Sequence, residues 1–184
     1  GLPFTDVSTS SPYYDGIKFV YENGIMKGVT GTTFEPGTAV TRGMLVTLLY
    51  RYEGSPAVTG ASFSDVAAGR YFTDAVAWAS KNDIVTGYSD GTFQPDAPVS
   101  RQQLAVILYR YAVYKGMTAV TLEDNLGGFT DSASIGAYAI PAMNWAVGQG
   151  LVNGYSDGTV RPAAGADRAQ TAVILMRLIE NVLG

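Results

Sequence analysis

The chain contains neither cysteine nor histidine. These two absences remove disulfides, thiolate metal sites, imidazole general bases and every serine–histidine triad. Positive charge is scarce too, with 12 lysines and arginines against 16 aspartates and glutamates and a net charge of −4. No basic cluster gathers locally, so nothing here attracts a phosphate backbone, and nucleic acid is not an expected partner. Long apolar runs are missing. The longest, such as residues 44–50 and 172–176, fall far short of the roughly 18 residues that a membrane-spanning helix needs. No leader pattern opens at Gly1, which reads as a soluble segment whose export signal, if it is exported, lies outside it. What the chain does have is length and apolar content. Its 184 residues are 47% hydrophobic, enough to bury a core as one or two compact units.

Self-similarity is the strongest signal. Phe-Thr/Ser-Asp occurs at Phe4, Phe63 and Phe129, and an arginine preceded by Thr, Ser or Asp occurs at Arg42, Arg101 and Arg168. Between these landmarks Gly28, Gly87 and Gly154 align. So do the turn segments ending in Phe34-Glu35-Pro36, Phe93-Gln94-Pro95 and Val160-Arg161-Pro162. Three units follow, at 1–53, 60–115 and 126–184, with linkers around Ser55-Pro56 and over 118–125.

Each unit reads as helix, loop, helix. In the second helices apolar side chains recur at Leu45, Leu48, Leu49 and Tyr52, at Leu104, Ile107, Leu108 and Tyr111, and at Thr171, Ile174, Leu175 and Leu178. That i, i+3, i+4, i+7 spacing builds one face for burial. The first helices are expected over 13–23, 72–82 and 141–149. They end at Gly24, Asp83 and Gly150, residue types that tolerate a left-handed backbone. Asp90-Gly91 and Asp157-Gly158 mark tight turns, with a short strand on either side of each as an open option.

These residues resemble the S-layer homology family. The resemblance rests on the Phe-x-Asp opening, an aromatic early in each first helix (Tyr13, Tyr71, Tyr138), the Gly-Tyr-Ser-Asp-Gly-Thr type loop and the Thr-Arg-Ala-Glu type helix start. It covers all three units. It implies a mainly α fold in a pseudo-threefold arrangement, with one helix of each unit in a central bundle and three prongs separated by grooves. It also implies that the grooves bind a secondary cell wall polysaccharide, often through terminal pyruvylated N-acetylmannosamine. The chain would then be a monomeric, non-catalytic module at the bacterial cell surface or S-layer, joined covalently to a cargo domain and needing no cofactor. By position the family motif is Thr41-Arg42-Gly43-Met44, Ser100-Arg101-Gln102-Gln103 and Asp167-Arg168-Ala169-Gln170. Its terminal Glu is absent from all three.

Thr41, Ser100 and Asp167 are good N-caps, and Gln103 and Gln170 stand where a capping box places its Gln or Glu. The glutamines preserve that reciprocal bond while removing negative charge from the helix start. An arginine at the first helical position is electrostatically poor, by ~0.3–1 kcal/mol against the helix dipole. Its threefold repetition asks for a reason. In one reading, free N–H groups at the helix start and the arginine fork together hold a carboxylate. In the other, each arginine pairs with an acid of the chain itself, Asp6, Asp65 or Asp131. Arg42 ranks below Arg101 and Arg168, because Gly43 is a poor helix former and Met44 breaks the capping box.

Aromatic side chains supply ring faces for sugars. Tyr88 and Tyr155 are the candidates beside the turns, where the first unit carries Val29. Trp78 and Trp145 divide evenly between groove wall and core. Gly28, Gly87 and Gly154 would let backbone N–H groups approach a sugar, and a turn with positive φ accounts for them equally. The candidate glycan-binding set is therefore Arg42, Arg101, Arg168, Gly28, Gly87, Gly154, Tyr88, Tyr155, Gln103 and Gln170. A glycosidase would need a unique pair of carboxylates, whereas the acids here repeat with the units. The alternating acids of a calcium loop are missing, so no metal is expected. The rival reading is a helical scaffold on the cell surface that binds other proteins.

Overall fold

In the computed structural model, residues 1–60, 63–118 and 123–184 are described, and six α-helices carry the chain. They are α1 (Tyr14–Glu22), α2 (Arg42–Tyr52), α3 (Thr73–Lys81), α4 (Arg101–Tyr114), α5 (Ile140–Gly148) and α6 (Arg168–Arg177). Two 3-10 turns precede α5, and a π-helical segment, Leu178–Leu183, follows α6. The expected helices lie within about a residue of these bounds. Part of the expected linker at 118–125 lies outside the described residues.

Local chemistry sets the helix ends. Thr41, Ser100 and Asp167 stand in extended backbone and accept the N–H of the residue three positions on, at 3.1, 3.2 and 2.7 Å. Gln103 and Gln170 return a side-chain oxygen to the cap N–H, closing two capping boxes. Met44 has no such oxygen, so α2 keeps the cap alone. At the other end of the first helices, Gly24, Asp83 and Gly150 take positive φ. The next residue then donates back five positions, as Ile25 N–H does to the Val20 carbonyl at 2.8 Å.

The turns form without the optional strands on either side, among the described residues. Tyr88 N–H donates to the Thr92 carbonyl at 2.8 Å and Tyr155 N–H to the Thr159 carbonyl at 2.8 Å, and these bonds close the turns. Among the described residues the extended pairing consists of isolated bridges elsewhere, at the meeting point of the three units. There Val40 N–H donates to the Ala166 carbonyl (3.0 Å), Ala166 to Val99 (3.2 Å) and Val99 to Val40 (2.9 Å). This ring of three bonds joins the segments that lead into α2, α4 and α6.

Helix packing follows the same cyclic order. The pairs are α2 with α3, α4 with α5, and α6 with α1. Every pair therefore joins neighbouring units, and the last closes the end of the chain on its beginning. Two glycines make close approaches possible: a Cβ on Gly16 would lie 2.6 Å from Val173, and one on Gly43 would lie 2.9 Å from the Pro95 carbonyl. Gly43 thus has a packing reason. Phe34, Phe93 and Val160, at equivalent positions, are completely buried. Trp78 and Trp145 are only 2% and 4% exposed. Trp78 packs against Tyr50, Tyr111 and Tyr114, and Trp145 against Tyr109. Both tryptophans are core, not groove wall.

Candidate functional site

Each repeat landmark makes a defined set of bonds. Asp6, Asp65 and Asp131 each accept two backbone N–H groups from the loop of their own unit: Phe34 and Glu35 (2.9 and 2.7 Å), Phe93 and Gln94 (2.9 and 2.8 Å), Val160 and Arg161 (both 2.9 Å). For Asp131 these bonds hold the carboxyl below its ordinary value. For Asp6, partial desolvation acts upward, and the bonds from Phe34 and Glu35 outweigh it. The phenylalanine two residues earlier covers the loop glycine. A Cβ on Gly28, Gly87 or Gly154 would come within 2.4, 2.3 and 2.3 Å of Phe4, Phe63 and Phe129. These glycines are therefore required by packing whatever else they do.

The arginines do not pair with those aspartates. Each reaches into the next unit of the cycle and donates from Nε to a backbone carbonyl: Arg42 to Phe93 (2.9 Å), Arg101 to Val160 (2.9 Å), Arg168 to Phe34 (2.8 Å). They are 7%, 5% and 8% exposed. Burial pulls each guanidinium below the usual arginine value, and the nearby acids Asp65, Asp131, Glu35 and Asp6 act against it from beyond ion-pair distance. Aromatic faces supply further compensation. Arg42 lies 4.9 Å from the Tyr88 ring centroid and 4.6 Å from that of Phe93, Arg101 lies 4.9 Å from Tyr155, and Arg168 4.6 Å from Phe34.

The helix starts are not free to hold an anion. Arg42, Arg101 and Arg168 donate their own N–H to Ala97, Ala164 and Thr38 at 2.9, 2.8 and 2.9 Å, and the following residue donates to Pro95, Pro162 or Pro36. The third N–H goes to the cap side chain. That part of the sequence reading is overturned, because the neighbouring unit satisfies the orphan donors.

Among the described residues, two grooves open where units meet. The first, of about 570 Å³, is lined by Arg42 of one unit, Gly87, Tyr88, Gln103 and Arg110 of the next, and Tyr138 of the third. The second, of about 250 Å³, brings together Arg101, Asn153, Tyr155, Gln170, Arg177 and Tyr13. These are the same positions moved on by one unit. Gln103 Nε2 donates to the Tyr88 hydroxyl at 2.9 Å, so the capping glutamine also orients a groove aromatic. Arg101 and Arg161 both lie over the Tyr155 ring, at 4.9 and 3.7 Å from its centroid. No aspartate or glutamate lines either groove among the described residues. Around Arg168 the equivalent positions hold Val29 and Met44 in place of tyrosine and glutamine.

The structure thus brings Arg42, Gly87, Tyr88 and Gln103 together, and likewise Arg101, Tyr155 and Gln170. Gly154 lies beneath the Phe129 ring and Gly28 beneath Phe4. Sequence reasoning missed Arg110 and Arg177. The signal was present as a repeat: Arg51, Arg110 and Arg177 each follow the arginine at the helix start by nine residues.

A family model for the S-layer homology domain matches residues 3–43, 62–105 and 128–172. An endoglucanase from Bacillus sp. (strain KSM-635) is 31% identical over 188 residues, covering 98% of this chain and 19% of that protein. A cellulosome-anchoring protein from Acetivibrio thermocellus is 26% identical over 162 residues, 85% of this chain and 35% of that protein. A surface-layer 125 kDa protein from Lysinibacillus sphaericus is 26% identical over 171 residues, 91% of this chain and 14% of that protein. The chain spans about a third or less of these relatives. Matched three times in tandem, once in each unit, the chain belongs to the S-layer homology domain family.

Proposed function

We propose that the chain is a non-catalytic anchoring module, which holds a larger protein on the bacterial cell surface by binding an anionic wall polysaccharide in the grooves between units. The observation that carries this reading is the composition of the two grooves. In a chain of net charge −4, both are lined by two arginines, by tyrosine faces and by no carboxylate. A guanidinium fork suits a carboxylate, and tyrosine rings suit the C–H faces of a pyranose. A saccharide carrying a carboxylate, such as a pyruvate ketal of N-acetylmannosamine, matches both. The names of two relatives, a cellulosome-anchoring protein and a surface-layer protein, point the same way.

The test is retention of the purified chain on bacterial sacculi, before and after acid extraction of the secondary polysaccharide. Retention lost on extraction, and weakened by added salt, is the expected result. Retention that survives extraction redirects the reading to peptidoglycan, and no retention at all favours a protein-binding scaffold.

A further inference from the structure

Asn-Gly occurs twice in the chain, at Asn23-Gly24 and Asn153-Gly154. In this dipeptide the glycine nitrogen lies within reach of the asparagine side-chain carbonyl carbon, and no Cβ on the glycine hinders its approach. Both asparagines are exposed, yet their surroundings are opposite. Asn23 closes the end of α1. Its Nδ2 donates to the Phe19 carbonyl at 2.8 Å, and Gly24 N–H donates to the Tyr21 carbonyl at 3.1 Å. The helix terminus thus holds both the side chain and the nitrogen that would attack it.

Asn153 has neither restraint. Among the described residues its side chain makes no hydrogen bond, and neither does the Gly154 N–H. Its main-chain carbonyl instead accepts from Nη2 of the buried Arg101 at 2.7 Å. A charge-assisted bond there draws electron density out of the Asn153–Gly154 peptide. It stabilises the anion left when the Gly154 N–H gives up its proton, as donors to an oxyanion do. The loop therefore holds an electrophile, Asn153 Cγ, beside an unengaged nitrogen, with a fixed cation on the reacting peptide. At the two equivalent places the residue before the loop glycine is Lys27 or Thr86, and neither carries an amide side chain.

We infer that Asn153–Gly154 is a site of self-modification, whose carboxylate product closes the Arg101 groove. The reaction needs only water and catalytic hydroxide. Hydroxide takes the Gly154 N–H proton, and the nitrogen attacks Asn153 Cγ. The N–Cγ bond forms and the Cγ–Nδ2 bond breaks, with ammonia leaving on a proton from water, which regenerates hydroxide. Water then opens the cyclic imide. Addition at Cγ gives aspartate, and addition at the main-chain carbonyl gives isoaspartate, whose chain runs through the former side chain. One water is consumed and one ammonia released, with no change of oxidation state. Asn153 lines the smaller groove with Arg101, Tyr155 and Arg177, where no carboxylate stands among the described residues. The product places one beside these guanidinium groups, in competition with the carboxylate of a sugar. The Arg42 groove, with Thr86 at that place, keeps its composition. This consequence rests on the glycan-binding reading above, and the modification itself does not.

The experiment is ageing of the folded chain in mildly alkaline buffer made with heavy-oxygen water, followed by peptide mapping that separates aspartate from isoaspartate. Heavy oxygen should enter position 153 at least about tenfold faster than position 23, the factor that a bond from a charged donor supplies. In urea, which frees both dipeptides, the two rates should converge. Arg101→Gln should slow the reaction at position 153 in the folded chain and leave the urea rate unchanged. If that variant fails to fold by circular dichroism, the comparison of folded and unfolded parent decides. The inference is overturned if position 153 ages no faster than position 23 in the folded chain. Aged parent and Asn153→Asp should both be released from polysaccharide-bearing sacculi at lower salt than fresh parent, and Asn153→Gln should keep its retention through the same incubation. Equal release of fresh parent, aged parent and Asn153→Asp overturns the closing of the groove. If fresh parent is not retained at all, the anchoring reading fails, and the peptide map still decides the modification.

Discussion

Arg168 and Phe34 stand 134 positions apart in the chain and are joined by a hydrogen bond of 2.8 Å from the guanidinium Nε to the carbonyl. A second bond, to the Lys27 carbonyl at 2.7 Å, makes the same arginine the fastener between the last unit and the first. The α6–α1 packing lies beside it. The chain is therefore closed by contacts that no single unit contains.

Replacing Arg168 by alanine should open this closure. Hydrogen bonds from a charged group contribute about 1.5–3 kcal/mol, and the two carbonyls left behind are desolvated. Urea unfolding should show a lower midpoint by that order with the slope unchanged, and binding in the Arg42 groove should survive in the folded fraction. A variant as stable as the parent would show that α6–α1 packing alone closes the ring.

Asp131→Asn should lower stability at neutral pH and matter progressively less in acid. The carboxyl of Asp131 is held below its ordinary value by the backbone N–H groups of Val160 and Arg161. A depressed folded-state value contributes stability that is present above the unfolded value, near 3.8, and is lost as pH falls through the lower folded one. The difference in urea midpoint between parent and variant should be full at pH 5 to 7 and shrink below pH 3.8. A constant difference across that window would refute the assignment.

Gly154→Ala tests the packing of the loop without positive φ as a complication. The new methyl would meet Phe129 at 2.3 Å, and overpacking of this kind costs about 1–3 kcal/mol. Adding Phe129→Leu should restore part of the loss in thermal melts. If it restores nothing, the strain lies in the backbone.

Trp78→Ala separates core from groove. With its ring set among Tyr50, Tyr111 and Tyr114 and 2% exposed, truncation should cost about 3–5 kcal/mol of stability. Glycan affinity should be unchanged under conditions where the variant stays folded. Affinity lost without any loss of stability would return Trp78 to the groove wall.

Much of the architecture was legible in the sequence, because it is written in short-range chemistry. The caps at Thr41, Ser100 and Asp167, the two capping boxes and the stops at Gly24, Asp83 and Gly150 depend on residues within one helical turn of each other. So does the apolar spacing of α2, α4 and α6. Tyr88 and Tyr155 beside the turns, and Gln103 and Gln170 in the capping boxes, stand out in the sequence as candidates, and the structure sets each tyrosine in a groove with its glutamine.

What the sequence by itself determined, then, is three capped helix pairs with an aspartate, a glycine and an arginine at matching places in each. Only the tertiary structure decided what those residues face. The aspartates and arginines, a plausible set of ion pairs on paper, each bond backbone instead. A loop of N–H groups lies over every carboxylate, and the neighbouring unit presents carbonyls to every buried guanidinium. The helix N–H groups that looked available for an anion are taken by carbonyls of the next unit. Gly28, Gly87 and Gly154 hold the same place in their units, and only Gly87 takes positive φ. A glycine codes for freedom and not for a choice, so the choice belongs to the packing around it.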